Sequence, residues 1–215
     1  RITAYILMEQ EFELIAKTFM GLEPVLAKEL TQLGANNVQI GRRMVSFTGD
    51  KEMMYRANFS LHTAIRVIKP IKHFKAQSAD DVYDEVKKID WSQYLDLKKS
   101  FAVDSVVFSD EFRHSKFVSY KVKDAIVDQF REKTGQRPNI SVANPDIRLN
   151  MHIAEDRCTL SLDSSGESLH RRGHRQESVE APLNEGLAAG MILMPGWQGD
   201  TDFIHPMCGS GTPLI

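Results

Sequence analysis

The chain has 215 residues, a formal net charge of −2 and a hydrophobic content of 42%. This composition supports one or two globular domains and excludes a surface that is basic throughout, so any contact with nucleic acid has to come from a local patch. No apolar run approaches the roughly 20 residues of a membrane span. The two cysteines, Cys158 and Cys208, lack metal-ligand spacing, which predicts free thiols in a reducing compartment and no bound metal.

The N-terminal third has the pattern of a ferredoxin-like unit, with the order β-α-β-β-α-β. Alternating residues predict strands, apolar residues at helical spacing predict helices, and Gly34 and Asp50 mark a helix end and a helix start. The residues before Met8 are either upstream or vector-derived sequence or an extra N-terminal strand. The predicted elements are a strand at 12–19, a helix at 22–33, strands at 38–40 and 44–47, a helix after Asp50 and a strand at 66–71.

A second α+β unit follows. Ser78–Asp81 resembles a capping box that starts a helix, and residues 101–108 form the strongest strand pattern in the chain. A long helix is predicted from about Ser115 to Lys133. Residues 147–153 and 158–162 alternate around a turn, which predicts a hairpin.

The alternating strand pattern ends at Ser164, and the sequence that follows is loop-like. Leu169–Arg175, with the sequence LHRRGHR, is a basic connector. A helix is predicted to start near Glu180 and to run to about Met194, where Pro195 and Gly196 follow. Thr201–Ile204 is then predicted as a short strand.

That strand leads into His205–Thr212, with the sequence HPMCGSGT. Glycines in such a turn let backbone N–H groups approach a ligand closely, because no Cβ intervenes. The turn lacks the lysine of a Walker motif and the full spacing of a dinucleotide-binding fingerprint. From the residues alone, a ligand-binding turn and an incidental Gly/Ser loop both stay open.

Several segments together resemble the THUMP-containing RNA methyltransferases. Phe203–Thr212 resembles the F-I/L-D-P-M-C-G-S-G-T of that family's motif I, and LHRRGHR resembles the L-H-x-R-G-Y-R that joins the RNA-binding part to the catalytic part. Glu180–Ala188 resembles the helix before motif I, and Lys121–Arg131 and Leu160–His170 resemble THUMP segments. The group with the greatest likeness is the bacterial guanine-N2 methyltransferases of large-subunit ribosomal RNA.

The resemblance implies four parts: a ferredoxin-like domain at 8–75, a THUMP RNA-binding domain at 76–165, a basic connector at 166–180, and the first helix and strand of a Rossmann-like methyltransferase domain at 181–215. The family's catalytic N-P-P-Y or N-P-P-F loop is absent from the chain, and Asn144-Pro145-Asp146 lies in the wrong part and lacks the second proline. A methyltransferase domain needs roughly 150 or more residues. We therefore expect the chain to be an inactive fragment of an enzyme.

For the cofactor S-adenosyl-L-methionine, the resemblance implies contacts from motif I and from the helix before it. His205 stands where the family has Asp, and Pro213 stands where it usually has an aliphatic residue. A carboxylate can accept several hydrogen bonds, whereas a neutral imidazole accepts at one nitrogen and an imidazolium at none. The implied cofactor-binding residues are His205, Pro206, Cys208, Gly209, Ser210, Gly211, Thr212, Pro182 and Leu183.

Three basic clusters are candidates for contact with structured ribosomal RNA. The cluster from Arg66 to Lys75 is interpreted as a solvated face. The second cluster starts the long helix, where the helix N-terminus adds backbone donors for a phosphate. The third lies in the connector, whose arginines contact either RNA or acidic side chains of the THUMP part. The second cluster comprises Arg113, His114, Ser115, Lys116, Lys121 and Lys123. The third comprises His170, Arg171, Arg172, His174 and Arg175, of which the three arginines are the candidate RNA contacts.

The resemblance implies that a cytoplasmic enzyme docks ribosomal RNA through the THUMP part and methylates a guanine N2 of 23S RNA, after the base is flipped out of its pair. It implies neither a membrane nor a metal partner. Adenine N6 of RNA or DNA is an alternative acceptor. A stand-alone RNA-binding module without catalysis is an alternative of another class, and an N-P-P-Y or N-P-P-F motif further along the reading frame would discriminate against it.

Overall fold

The computed structural model describes residues 10–110, 112, 115–171, 182–206, 209 and 211–214. These residues form two compact units. The first unit combines the described residues of 1–69 and 167–215, and the second comprises those of 70–166. The four-part division made from the sequence stays a prediction.

The first unit is built on an antiparallel sheet in the order β2-β3-β1-β4, which confirms the ferredoxin-like prediction. Strand β4 continues past Lys69, so that its last residues lie in the second unit. The elements are β1 (Phe12–Thr18), α1 (Glu23–Leu33), β2 (Asn36–Gly41), β3 (Met44–Gly49), α2 (Lys51–Ser60), β4 (Ala64–Lys75) and, near the C-terminus, α5 (Glu185–Leu193).

Local chemistry sets the ends of the helices in this unit. Gly34 adopts a left-handed conformation with φ 91°, and its N–H donates to carbonyls at the end of α1, which ends that helix. The Asp50 carboxylate accepts from the Met53 N–H at 2.8 Å and thereby caps α2. Both ends lie where the sequence predicted them.

The second unit combines parallel and antiparallel pairing. Strand β5 runs parallel to β6 and to β7, and β7 and β8 form the predicted hairpin, in which Ala154 pairs with Arg157. The strand order is β8-β7-β5-β6, with the end of β4 beside β8. The elements are α3 (Ala79–Lys87), a 3₁₀ turn (Trp91–Gln93), β5 (Ser100–Phe108), α4 (Ser115–Thr134), β6 (Asn139–Ile140), β7 (Ile147–Ala154) and β8 (Arg157–Asp163).

Helices α3 and α4 enclose the core of the second unit. Ser78 and Asp81 form the predicted capping box at the start of α3. Val82 and Val86 of α3 and Val122 of α4 have no exposed surface and belong to one apolar cluster with Trp91. The other members come from β5, β7 and β8, from α4 and from three loop positions, so that the sheet and the helix pair share one core.

The structure differs from the predictions near the C-terminus. Helix α5 begins at Glu185 instead of near Glu180, because the Asn184 side chain accepts from the Gly186 and Leu187 N–H groups and caps the helix there. Thr201–Ile204 forms no strand, since a strand needs a neighbouring ladder and no described residue pairs with this segment. Instead, the Trp197 Nε1–H donates to the Thr201 carbonyl at 3.0 Å.

No helix within the described ranges has the length and apolar character needed to cross a membrane.

Candidate functional site

Helix α5 packs closely against the ferredoxin-like part of the first unit through small residues. A Cβ placed on Gly190 would lie 2.5 Å from Leu22 Cδ1, and one on Gly186 would lie 3.4 Å from Phe19 Cε2. Leu22 is itself buried, which leaves its side chain little room to move. The close approach of α5 therefore depends on the missing side chain at Gly190.

The Gly-rich turn follows α5 and carries two glycines in the left-handed region. Gly209 has φ 54° and Gly211 has φ 74°, a conformation that strains residues with a side chain. A Cβ built on either residue would meet no heavy atom of a described residue within 4 Å, so that a ligand has room where a side chain would stand. Thr212 then begins a 3₁₀ turn, in which the Leu214 N–H donates to the Gly211 carbonyl at 2.8 Å. Two other predicted contacts, Cys208 and Ser210, lie outside the described residues.

His205 is half-buried at the start of this turn. Its Nδ1 is buried and has no hydrogen-bond partner among the described residues. An unsatisfied buried polar atom costs about 1–3 kcal/mol, so this nitrogen suits a hydrogen bond to a ligand. Pro182 and Leu183 lie directly before the Asn184 cap of α5.

A cavity of about 400 Å³ lies in the first unit, between α5 and the Gly-rich turn. Its volume is in the range of small-molecule sites. Burial is the largest of the effects that lower the pKa of His170 in its wall, and the charges of Arg171 and Arg66 act in the same direction. The sequence did not predict His62 or His170 as neighbours of the turn, because they come from distant segments. The cavity is lined by His62, Leu169, His170, Glu185, Gly186, Ala188, Ala189, Ile192, Leu193, Thr212 and Pro213.

The start of α4 brings part of the second basic cluster together. Ser115 and Lys116 are exposed, and the Lys123 Nζ lies 4.7 Å from the centre of the Tyr120 ring. Lys121 is held differently: its Nζ donates to Asp80 Oδ1 at 2.6 Å, and this hydrogen bond raises the pKa of Lys121. Arg113 and His114 lie outside the described residues.

The other two basic clusters contain lysines that are held in ion pairs or arginines that partly lie outside the described residues. Lys72 pairs with Glu85 at 2.8 Å and Lys75 lies 3.6 Å from Asp156, in agreement with the interpretation of that cluster as a solvated, ion-paired face. Arg171 of the connector is exposed in the first unit, whereas Arg172 and Arg175 lie outside the described residues.

Three domain families match successive parts of the chain. The RlmL ferredoxin-like domain matches residues 13–68, the THUMP domain matches 76–163, and the RMKL-like methyltransferase domain matches 172–215. The three domains match in the order expected of a THUMP-containing RNA methyltransferase. The α+β class and the three domain types predicted for a member of this family are confirmed.

Relatives of known name or structure are similar to nearly the whole chain. The ribosomal RNA large subunit methyltransferase K/L of Syntrophotalea carbinolica is 44% identical over 213 residues, which are 97% of this chain and 30% of that protein. A predicted N6-adenine-specific DNA methylase from Listeria monocytogenes is 32% identical with a TM-score of 0.84, over 95% of this chain and 54% of that one. SMU.472, a candidate methyltransferase in complex with SAH, is 30% identical with a TM-score of 0.82, over 96% of this chain and 54% of that one. The chain thus spans less than a third of the named relative and about half of each solved chain.

Proposed function

We propose that this chain is the RNA-docking part and the start of the cofactor site of an S-adenosyl-L-methionine-dependent ribosomal RNA methyltransferase. The observation that carries the proposal is that one chain combines a THUMP unit with a Gly-rich turn in which Gly209 and Gly211 have positive φ. The name of the Syntrophotalea relative supports ribosomal RNA as the substrate, and such a substrate implies action in the cytoplasm.

The described residues of the Gly-rich turn fit the cofactor. The bound cofactor supplies a methyl group on a positively charged sulfur, which the amine of the acceptor base attacks. Gly209 and Gly211 leave room for a ligand where a side chain would stand, and the buried Nδ1 of His205 lacks a partner among the described residues. We propose that Pro206, Cys208, Ser210, Thr212, Pro182 and Leu183 complete this end of the cofactor site.

The proposed methyl acceptor is a guanine N2 of 23S ribosomal RNA. Adenine N6 is a second candidate, because the Listeria relative is described as an N6-adenine-specific DNA methylase. Methyl transfer to either amine depends mainly on holding the amine nitrogen in line with the methyl group. The RNA must therefore be docked first.

A methylation assay on the intact protein tests this proposal. With tritiated S-adenosyl-L-methionine and unmodified ribosomal RNA, we expect label in N2-methylguanosine after digestion to nucleosides. Gly211→Val serves as the inactive control, because a branched side chain is strained at φ 74°. Label in N6-methyladenosine alone would contradict the guanine assignment, and no incorporation by the wild type would contradict the enzymatic function.

We propose that the RNA docks on the start of α4, with the connector arginines Arg171, Arg172 and Arg175 as further contacts. Ser115 and Lys116 are exposed there, and a helix N-terminus adds donors and a positive dipole end for phosphates. The ion pair with Asp80 holds Lys121 beside this surface.

The combined change of Arg113, Lys116 and Lys121 to alanine is expected to weaken RNA binding by this chain. Each lost phosphate contact should also reduce the slope of log affinity against log salt by about 0.7–0.9. Fluorescence anisotropy over a range of salt concentrations measures both effects. The matched control changes Lys98, Lys99 and Lys133 to alanine, which removes the same charge elsewhere in the second unit. Equal affinities of the wild type and the first variant would place the RNA site elsewhere.

A further inference from the structure

Two aromatic rings lie exposed on α4, side by side and one helical turn apart. Phe117 has 52% and Tyr120 has 54% of its surface accessible. The opposite face of the helix is buried through Val118 and Val122, so that the two rings take no part in the core. Large apolar groups that stay exposed next to one another are typical of binding surfaces.

Lysine side chains lie beside the two rings, and one of them, Lys121, is also paired with Asp80. Residues 115–123 contain three lysines and no Asp or Glu. The Lys121 Nζ lies 5.6 Å from the centre of the Phe117 ring, and the Lys123 Nζ lies 4.7 Å from that of Tyr120. Each ring is therefore next to a cation, as in surfaces that bind single-stranded nucleic acid by stacking and charge.

The charge pattern is unfavourable for the helix itself. Helices α1, α2, α3 and α5 each have an acidic residue in the first turn, which suits the positive end of the helix dipole, whereas α4 has none. Lys116 lies in that first turn instead. An anionic ligand at this position would compensate for the missing carboxylate.

We propose that Phe117 and Tyr120 form a stacking platform for unpaired bases of the bound RNA, with Lys116 and Lys123 contacting the adjacent phosphates. This inference rests on the proposed RNA-docking function and narrows it to single-stranded segments. In a duplex the faces of the bases are stacked on one another, so the two rings have nothing to stack on. A single-stranded segment offers both bases and phosphates to the same stretch of helix.

The test compares a fluorescent single-stranded RNA with its matched duplex. Phe117→Ala combined with Tyr120→Ala is expected to weaken binding of the single strand by at least about thirtyfold, which is the lower limit for losing two stacked bases. Because no charge is removed, the dependence on salt should stay unchanged, as should the affinity for the duplex. Tyr120→Phe in the wild-type background keeps the ring and should bind normally.

A matched control uses the other exposed aromatic pair of a helix. Tyr55 and Phe59 of α2 are 60% and 83% exposed, and their change to alanine should leave the RNA affinity unaltered. Circular dichroism verifies that each variant is folded.

Three outcomes would overturn the inference. In the first, the Phe117 and Tyr120 variant binds the single strand as tightly as the wild type, while the combined alanine variant of Arg113, Lys116 and Lys121 binds RNA more weakly. This result would leave RNA docking intact and rule out the stacking platform. Unchanged affinity together with an altered oligomeric state would show that the rings form a protein interface. A wild-type chain that binds neither RNA would overturn the proposed function as well.

Discussion

Replacement of Trp91 by alanine is expected to lower the free energy of unfolding of the second unit by about 3–5 kcal/mol. Trp91 has no exposed surface and lies in the core shared by α3, α4 and the sheet. Its Nε1–H donates to the Val86 carbonyl at 2.9 Å, and its backbone N–H donates to Gln129 Oε1 at 3.1 Å. Alanine would leave a large cavity where the end of α3 meets α4, and the Val86 carbonyl would lose one of its donors and keep the Ile89 N–H.

Urea denaturation followed by circular dichroism measures this effect. Trp197→Ala is the matched control, because that tryptophan is only half-buried, belongs to the first unit and should cost much less. The Trp91 variant should also lose RNA affinity at temperatures where the second unit begins to unfold, since α4 carries the proposed docking surface. A loss below about 1 kcal/mol would contradict a central role for Trp91 in the core.

Replacement of Glu29 by alanine is expected to destabilise the first unit by about 2–4 kcal/mol. The Glu29 carboxylate accepts from the His62 N–H at 2.9 Å and from the Thr63 N–H at 3.2 Å, and it also bonds the Thr63 hydroxyl. Thr63 is fully buried, so that its polar groups have no access to water once the carboxylate is removed. Lys28→Ala, an exposed change on the same helix, is the control.

The contribution of Glu29 to the stability of the first unit should depend on pH. Burial alone would raise the pKa of Glu29, but the hydrogen bonds from His62 and Thr63 together outweigh it and lower the pKa from 4.5. A carboxyl group whose pKa is lower in the folded state stabilises that state above the unfolded pKa, and it loses this contribution as the pH falls through the folded pKa. The stability difference between the wild type and Glu29→Ala should therefore be full at pH 7 and shrink below about pH 4.5. A difference that does not change with pH would contradict the ionised form as the stabilising one.

The sequence by itself determined the elements whose signals are local. Asp50, the Ser78 and Asp81 pair and Gly34 act on backbone groups within a few residues, and these helix ends lie where they were predicted. The hairpin of β7 and β8 was predictable for the same reason, since its turn and its alternation are adjacent in the chain. The resemblance to the THUMP-containing RNA methyltransferases was also visible in the sequence, because motif I, the connector and the helix before the motif occur in a specific order.

Only the tertiary structure determined which residues from distant parts of the chain come into contact. It ties Lys121 to Asp80, 41 residues away, and it places His62 and His170 in one cavity with Thr212. It leaves Thr201–Ile204 without a ladder, although its residues have the pattern of a strand. The reason is physical: caps and turns satisfy backbone groups near them in the chain, whereas ion pairs, cavities and strand pairing depend on groups that only folding brings within reach.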